Sequence, residues 1–181
     1  MFSLPSAPPW EGMHPLVVHF PIALLMVSPI LILIGLLWAR HRTGMLTAAL
    51  IVMALGTLES FVAVATGEAA GQFVDRSVPA IEQVLEEHEE LGETTRNVFT
   101  ALTVIYAALI VLPWGVEKWR GRPIPIRPWL GALILYLAVY GVALLLLANT
   151  AHLGGRLVHE FGVRAQFKSE APPHQVEESE E

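Results

Sequence analysis

The chain has 181 residues, 54% apolar and 15% charged, with 11 Lys+Arg against 17 Asp+Glu and a mean hydropathy of +0.53. Soluble domains carry roughly a quarter charged residues, so this composition excludes an ordinary water-soluble globule. The lack of cysteine excludes disulfides, thiolate zinc sites, Cys-ligated iron–sulfur clusters and c-type haem attachment by this chain, and a net charge of −6 argues against a nucleic-acid partner.

The first charge is Glu11 and no basic segment precedes it, so the N-terminus does not read as a secretory signal. The apolar residues then fall in four blocks. Pro15–Trp38, Asn97–Val116 and Pro128–Ala151 contain no Lys, Arg, Asp or Glu, and Met45–Thr66 contains one acid, Glu59. A bilayer core of roughly 30 Å needs about 20 apolar helical residues, and each block reaches that length. None alternates in polarity as a membrane barrel strand does. The expected fold is all-α: a four-transmembrane-helix bundle over residues 1–165, with spans 15–38, 45–66, 97–116 and 128–151.

Basic residues set the expected orientation. Arg40 and Arg42 follow the first span, and Lys118, Arg120, Arg122 and Arg127 follow the third. The N-terminal tail has none, and the connector between spans two and three has Arg76 and Arg96 against eight acids. The two basic loops therefore belong in the cytoplasm, with both termini and the connector outside. Trp38, Trp114, Trp119 and Trp129 fall near the inner boundary, where indoles favour the headgroup level.

The connector carries its own helical pattern. Ile81, Val84, Leu85, His88, Leu91 and Thr95 recur on one face, while Glu82, Glu86, Glu87, Glu89, Glu90 and Glu93 fill the remainder as a solvated surface. The third helix is thus expected to start near Pro79, outside the membrane, and to run through 79–96 into its span. Residues 166–181, with Pro172, Pro173 and a Glu run, read as an acidic disordered tail.

Five of the seven histidines, His14, His19, His88, His152 and His159, map to the outer side. Histidine is the commonest protein metal ligand, and ionisable groups at or within spans read as functional. His152 and His159 are seven apart and share a helix face, with Gly155 between them and Ala148 and Gly141 below; such a stripe admits a backbone or a flat cofactor. His14 and His19 are five apart, about 140° around a helix, unless Pro15 or Pro21 bends it. At about 1.5 Å per residue, His19 and His152 share one level and His88 and His159 a higher one. His19 and His152 are therefore the expected axial pair. Each ring would bind metal through one nitrogen and need an acceptor for the other, supplied by Glu68 or a backbone carbonyl. Glu59 lies on the Gly56–Glu59–Ala63–Gly67 face and should point into the bundle, as a structural hydrogen-bonding group, a proton carrier or a partner of a ligand.

The stretch His14-Pro-Leu-Val-Val-His-Phe-Pro-Ile-Ala-Leu-Leu25 resembles the opening motif of a bacterial four-helix membrane family of unknown function. The resemblance continues through Ala65-Thr-Gly-Glu68, the connector histidine His88, Gly154-Gly-Arg-Leu-Val158 and Phe161-Gly-Val163, up to about residue 165. Members of that family often accompany c-type cytochromes, so the resemblance implies a redox setting and a c-type cytochrome or larger redox complex as partner. It implies no activity and no catalytic residue.

Three functions follow as expectations. The first is a b-type haem held between helices by paired histidines, carrying single electrons on the outer side of the bacterial cytoplasmic membrane. His14, His19, His88, His152 and His159 are its candidate ligands, Gly155 gives close approach, and Arg156 pairs with a propionate. The second is a single transition-metal ion, copper, zinc or iron, on the same histidines. The third is a cofactor-free accessory subunit of a respiratory or photosynthetic complex. No nucleophile–base pair or phosphate loop is present, so an electron-transfer or accessory subunit fits better than a stand-alone enzyme.

Overall fold

A computed structural model describes residues 7–122 and 125–164. A 3₁₀ turn, Trp10–Gly12, leads into a single turn α1 (His14–Val17) and then into α2 (His19–Leu37). A second 3₁₀ turn, Ala39–His41, connects to α3 (Arg42–Gly71), followed by α4 (Pro79–Arg120) and α5 (Ile126–His159). Among the described residues all regular structure is helical. Four segments are long and apolar enough to cross a membrane: His14–Leu37, Ala39–Gly71, Pro79–Arg120 and Ile126–His159. The tail from residue 166 lies outside the described residues.

The core is built on one repeated spacing. Leu25, Ser28 and Ile32 on α2, Leu46, Ala49 and Met53 on α3, Phe99, Leu102 and Tyr106 on α4, and Leu133, Tyr136 and Tyr140 on α5 are all buried. In every helix these positions are i, i+3 and i+7, the narrow stripe of supercoiled bundles. α2 packs chiefly on α3 and α4 chiefly on α5, and α3 joins the two hairpins through α4. Small residues permit the close crossings. A Cβ on Gly35 would lie 3.0 Å from the Leu46 side chain, and one on Gly56 would lie 3.0 Å from those of Leu24 and Leu25.

The outward faces are apolar too. Only 17–33% of each hydrophobic window is buried within the bundle, leaving Leu37, Leu135, Val142 and Leu145 among the exposed side chains. Such a surface suits hydrocarbon, where lipid rather than protein covers it.

Prolines inside helices leave backbone carbonyls without a partner, because proline has no N–H to bond the residue four positions earlier. Pro29 frees the Leu25 carbonyl, and the Tyr140 hydroxyl of α5 donates to it at 2.8 Å. Pro113 frees the Leu109 carbonyl, and the Trp129 indole N–H of α5 donates to it at 2.9 Å. Both gaps in the ladder are thus filled by α5. Where no water competes, this is what makes an interior proline tolerable.

α4 is a single helix of 42 residues. At about 1.5 Å per residue it is roughly 63 Å long, about twice the bilayer core. Val78 enters it extended, Pro79 occupies the first turn, and the chain leaves through Gly121 at φ 64, a left-handed stop that favours glycine. Over its first four turns the apolar stripe faces α5. Val84 and Leu85 are buried against Leu153 and Leu157, flanked by Ile81, Leu91, Phe161 and Val163.

Candidate functional site: two imidazoles docked on glycines

The N-terminal turn containing His14 is separated from α2 at Val18. Pro21 supplies no N–H to the Val17 carbonyl, and the break in the ladder falls there. This lets the His14 ring lie on α3. Its Nδ1 is 2.9 Å from the Ala63 carbonyl oxygen, and its Cε1 lies 3.1 Å from where a Cβ on Gly67 would stand. The buried Thr66 hydroxyl, 3.4 Å from the same Nδ1, donates back to the Val62 and Ala63 carbonyls.

His88 repeats the construction on the other hairpin. Its Nδ1 is 3.0 Å from the Thr150 carbonyl oxygen of α5, and its Cε1 lies 3.0 Å from where a Cβ on Gly154 would stand. The Thr150 hydroxyl is paired with that of Thr95 at 2.8 Å and lies 3.0 Å from the Leu146 carbonyl. In both docks the accepting carbonyl belongs to the residue four positions before the glycine. Each ring therefore fills the notch left by a missing side chain, beside one turn of helix backbone.

The two docks meet. The His14 and His88 ring centroids are 6.2 Å apart, with planes inclined at 76°. A backbone carbonyl only accepts, so each Nδ1 must carry the proton. In the neutral ring the lone pair then sits on Nε2. Among the described residues the hydrogen bonds of both rings run through Nδ1, leaving each Nε2 without one. The next residue on α4, Glu89, covers Gly71 of α3 and pairs with Arg76 at 3.5 Å.

The expected pairing by depth is not the pairing in the fold. His19 is exposed; it stands two residues before buried Pro21, about 160° around α2 from the core line. His152 and His159 are also exposed, while Leu153, Gly154 and Leu157 take the face turned toward α4. Depth alone put His19 with His152 and His88 with His159; angular position separates both pairs. A Cβ on Gly155 meets nothing within 4 Å, and the glycine that receives a ring is its neighbour Gly154. Arg156 is engaged on its own helix, bonding Glu160 at 2.7 and 3.2 Å. That bond holds the exposed Glu160 carboxyl below its ordinary range. Glu68 is exposed, and the acceptor behind each docked imidazole is a backbone carbonyl. Glu59 is half-buried, whereas Gly56 and Ala63 on its face are buried.

Gly67 and Gly154 are not recognisable as ring docks from the amino-acid sequence alone. Their signal was faint: a glycine four residues after Ala63 or Thr150 becomes informative only once helix register is known. Among the described residues no group of three or more His, Asp or Glu side chains is gathered closely enough to hold a metal ion.

A family model described as predicted membrane protein (DUF2231) matches residues 11–166, and the chain belongs to that family. No curated protein and no solved structure matches the chain.

Proposed function

We propose that His14 and His88 would hold a b-type haem through their Nε2 atoms and that the protein carries single electrons at the outer end of a four-helix membrane bundle. The observation that supports this reading is the tautomer lock on both rings. Each Nδ1–H is spent on a carbonyl, leaving two Nε2 lone pairs on rings 6.2 Å apart. If a haem binds, His14 and His88 would hold its iron through these Nε2 atoms. A two-imidazole set is complete once a porphyrin supplies the other four nitrogens. A bare zinc ion requires three or four protein ligands, and among the described residues no third His, Asp or Glu is gathered with this pair.

When bound, the haem iron supplies a one-electron redox couple. The chain's own contribution is to fix ring orientation, since the carbonyl partners determine both the tautomer and ligand basicity. In this reading the basic loops face the cytoplasm, the Pro79–Arg96 portion of α4 stands outside the bilayer, and the histidine end faces the extracytoplasmic side of a bacterial inner membrane. A c-type cytochrome or larger redox complex is the proposed partner, and the protein is an electron-transfer or accessory subunit rather than an enzyme.

The test is an absorption spectrum of detergent-purified protein, oxidised and then reduced with dithionite, after expression with haem precursor. Low-spin bands should appear in the native chain, vanish in His14→Ala and His88→Ala, and persist in His19→Ala, His152→Ala and His41→Ala. A colourless preparation with stoichiometric zinc or copper would replace haem by the single-ion reading. One with neither would leave the cofactor-free accessory subunit.

A further inference from the structure

The opposite end of the bundle carries a feature that the histidine site does not use. Ala108, Leu109, Leu112, Pro113 and Val116 of α4, with Trp129 of α5, line an apolar groove of about 330 Å³. Pro113 and the small side chain of Ala108 thin one wall, and Trp129 is pinned as the other by its N–H bond to the Leu109 carbonyl. The groove is shallow and open along its length, so it would cradle one side of an acyl chain rather than enclose it.

Charge gathers where the groove ends. Lys118, Arg120 and Arg122 follow Val116 within six residues, and Arg127 precedes Trp129 by two; all four side chains are exposed. The Lys118 ammonium lies 5.5 Å from the centre of the Trp114 ring. An apolar trough running into a cluster of cations at a membrane boundary matches an anionic amphiphile, with its chain along the helices and its phosphate at the loop. Basic pockets between membrane helices bind anionic lipid headgroups on the same principle. A second copy packed symmetrically on this face would set the same cations against each other.

We infer that this groove is a binding site for one anionic diacyl phospholipid from the leaflet adjoining the end of α4 and the start of α5. The acyl chain packs against Leu109, Leu112 and Trp129, and Arg122 and Arg127 take the phosphate. The site is independent of any cofactor at the histidine end.

The test is native mass spectrometry of the full-length, delipidated protein in detergent, titrated with phosphatidylglycerol or phosphatidylcholine of identical chains. One phosphatidylglycerol should be retained in preference to phosphatidylcholine by about fivefold for each cation engaged. Arg122→Gln/Arg127→Gln should erase the preference, and Ala108→Phe, which fills the trough, should weaken both lipids. Arg40→Gln, which removes a cation from the other basic loop, should leave the preference intact. Equal binding of the two lipids would overturn the proposal, as would loss of preference in Arg40→Gln equal to that in the double variant. Binding of glycerol phosphate as tight as that of the lipid would also overturn it, because the groove would then contribute nothing. Melting temperature with and without phosphatidylglycerol provides a second readout that needs no variant: a rise specific to that lipid is expected, and its absence counts against the site.

Discussion

At the scale of single residues, the two imidazoles are held by what their partners lack. A methyl group on Gly154 would sit 3.0 Å from Cε1 of His88 and 3.4 Å from Nε2; on Gly67 it would sit 3.1 Å from Cε1 of His14. Neither ring can recede far while its Nδ1 keeps a carbonyl at 2.9–3.0 Å. Gly67→Ala and Gly154→Ala should therefore tilt the rings and stretch those bonds. Losing the partner that orients a metal-bound histidine typically costs about 10–100-fold in affinity, and haem retention during purification should fall by that order. Gly155→Ala, in open space, should retain haem fully and, by helix propensity, be slightly more stable. Haem content per protein, measured beside the melting curve, separates ring positioning from general damage. Equal retention in all three variants would show that the docks do not orient ligands.

At the scale of helices, the prolines give the sharpest test, because each names its own rescue. Tyr140→Phe should leave the buried Leu25 carbonyl without a donor, and an orphaned buried acceptor costs about 1–3 kcal/mol. In that background Pro29→Ala restores an N–H four residues on and should recover much of the loss, although Pro29→Ala alone gains little because Tyr140 already serves the carbonyl. The same cycle applies to Trp129→Phe with Pro113→Ala at the Leu109 carbonyl. Reversible unfolding in mixed detergent micelles reads all the variants, and a coupling energy indistinguishable from zero would mean that these cross-helix bonds do not compensate for the prolines. The sequence announced the four helices because uncharged runs of about 20 residues have few other uses. It also announced the amphipathic start of α4, since Ile81, Val84, Leu85, His88, Leu91 and Thr95 keep one period. It did not announce the partners of Pro29 and Pro113. A proline predicts that a carbonyl is freed, but which side chain 20 or 115 residues away reaches it depends on helix rotation and register.

At the scale of the whole molecule, the same missing information decided the histidines. Rise per residue gives depth along a span, and depth gathered His14, His19, His88, His152 and His159 at one end. Rotation about each helix axis then selects among them, and an isolated sequence fixes it only where a strong polar face exists. On α4 the glutamates provide that contrast and put His88 on the buried stripe. On α2 and the end of α5 both faces are apolar or small, so His19 and His152 gave no sign of facing outward. The bundle that results has α1, the end of α3, the start of α4 and the end of α5 at the histidine end, with the α2–α3 and α4–α5 connections opposite. Arg40, Arg42, Lys118, Arg120, Arg122 and Arg127 crowd those connections, whereas the segment before His14 has no basic residue. Basic short loops are generally retained in the cytoplasm, so the proposed function expects the imidazole pair on the extracytoplasmic side. A periplasm-active reporter enzyme fused after Glu181 should then be active, and one inserted between α4 and α5 should be silent, with a cytoplasm-active reporter giving the converse pattern. The reverse result would put His14 and His88 on the cytoplasmic side, where a periplasmic cytochrome could not reach them, and would end the proposed redox partnership whatever the spectrum showed.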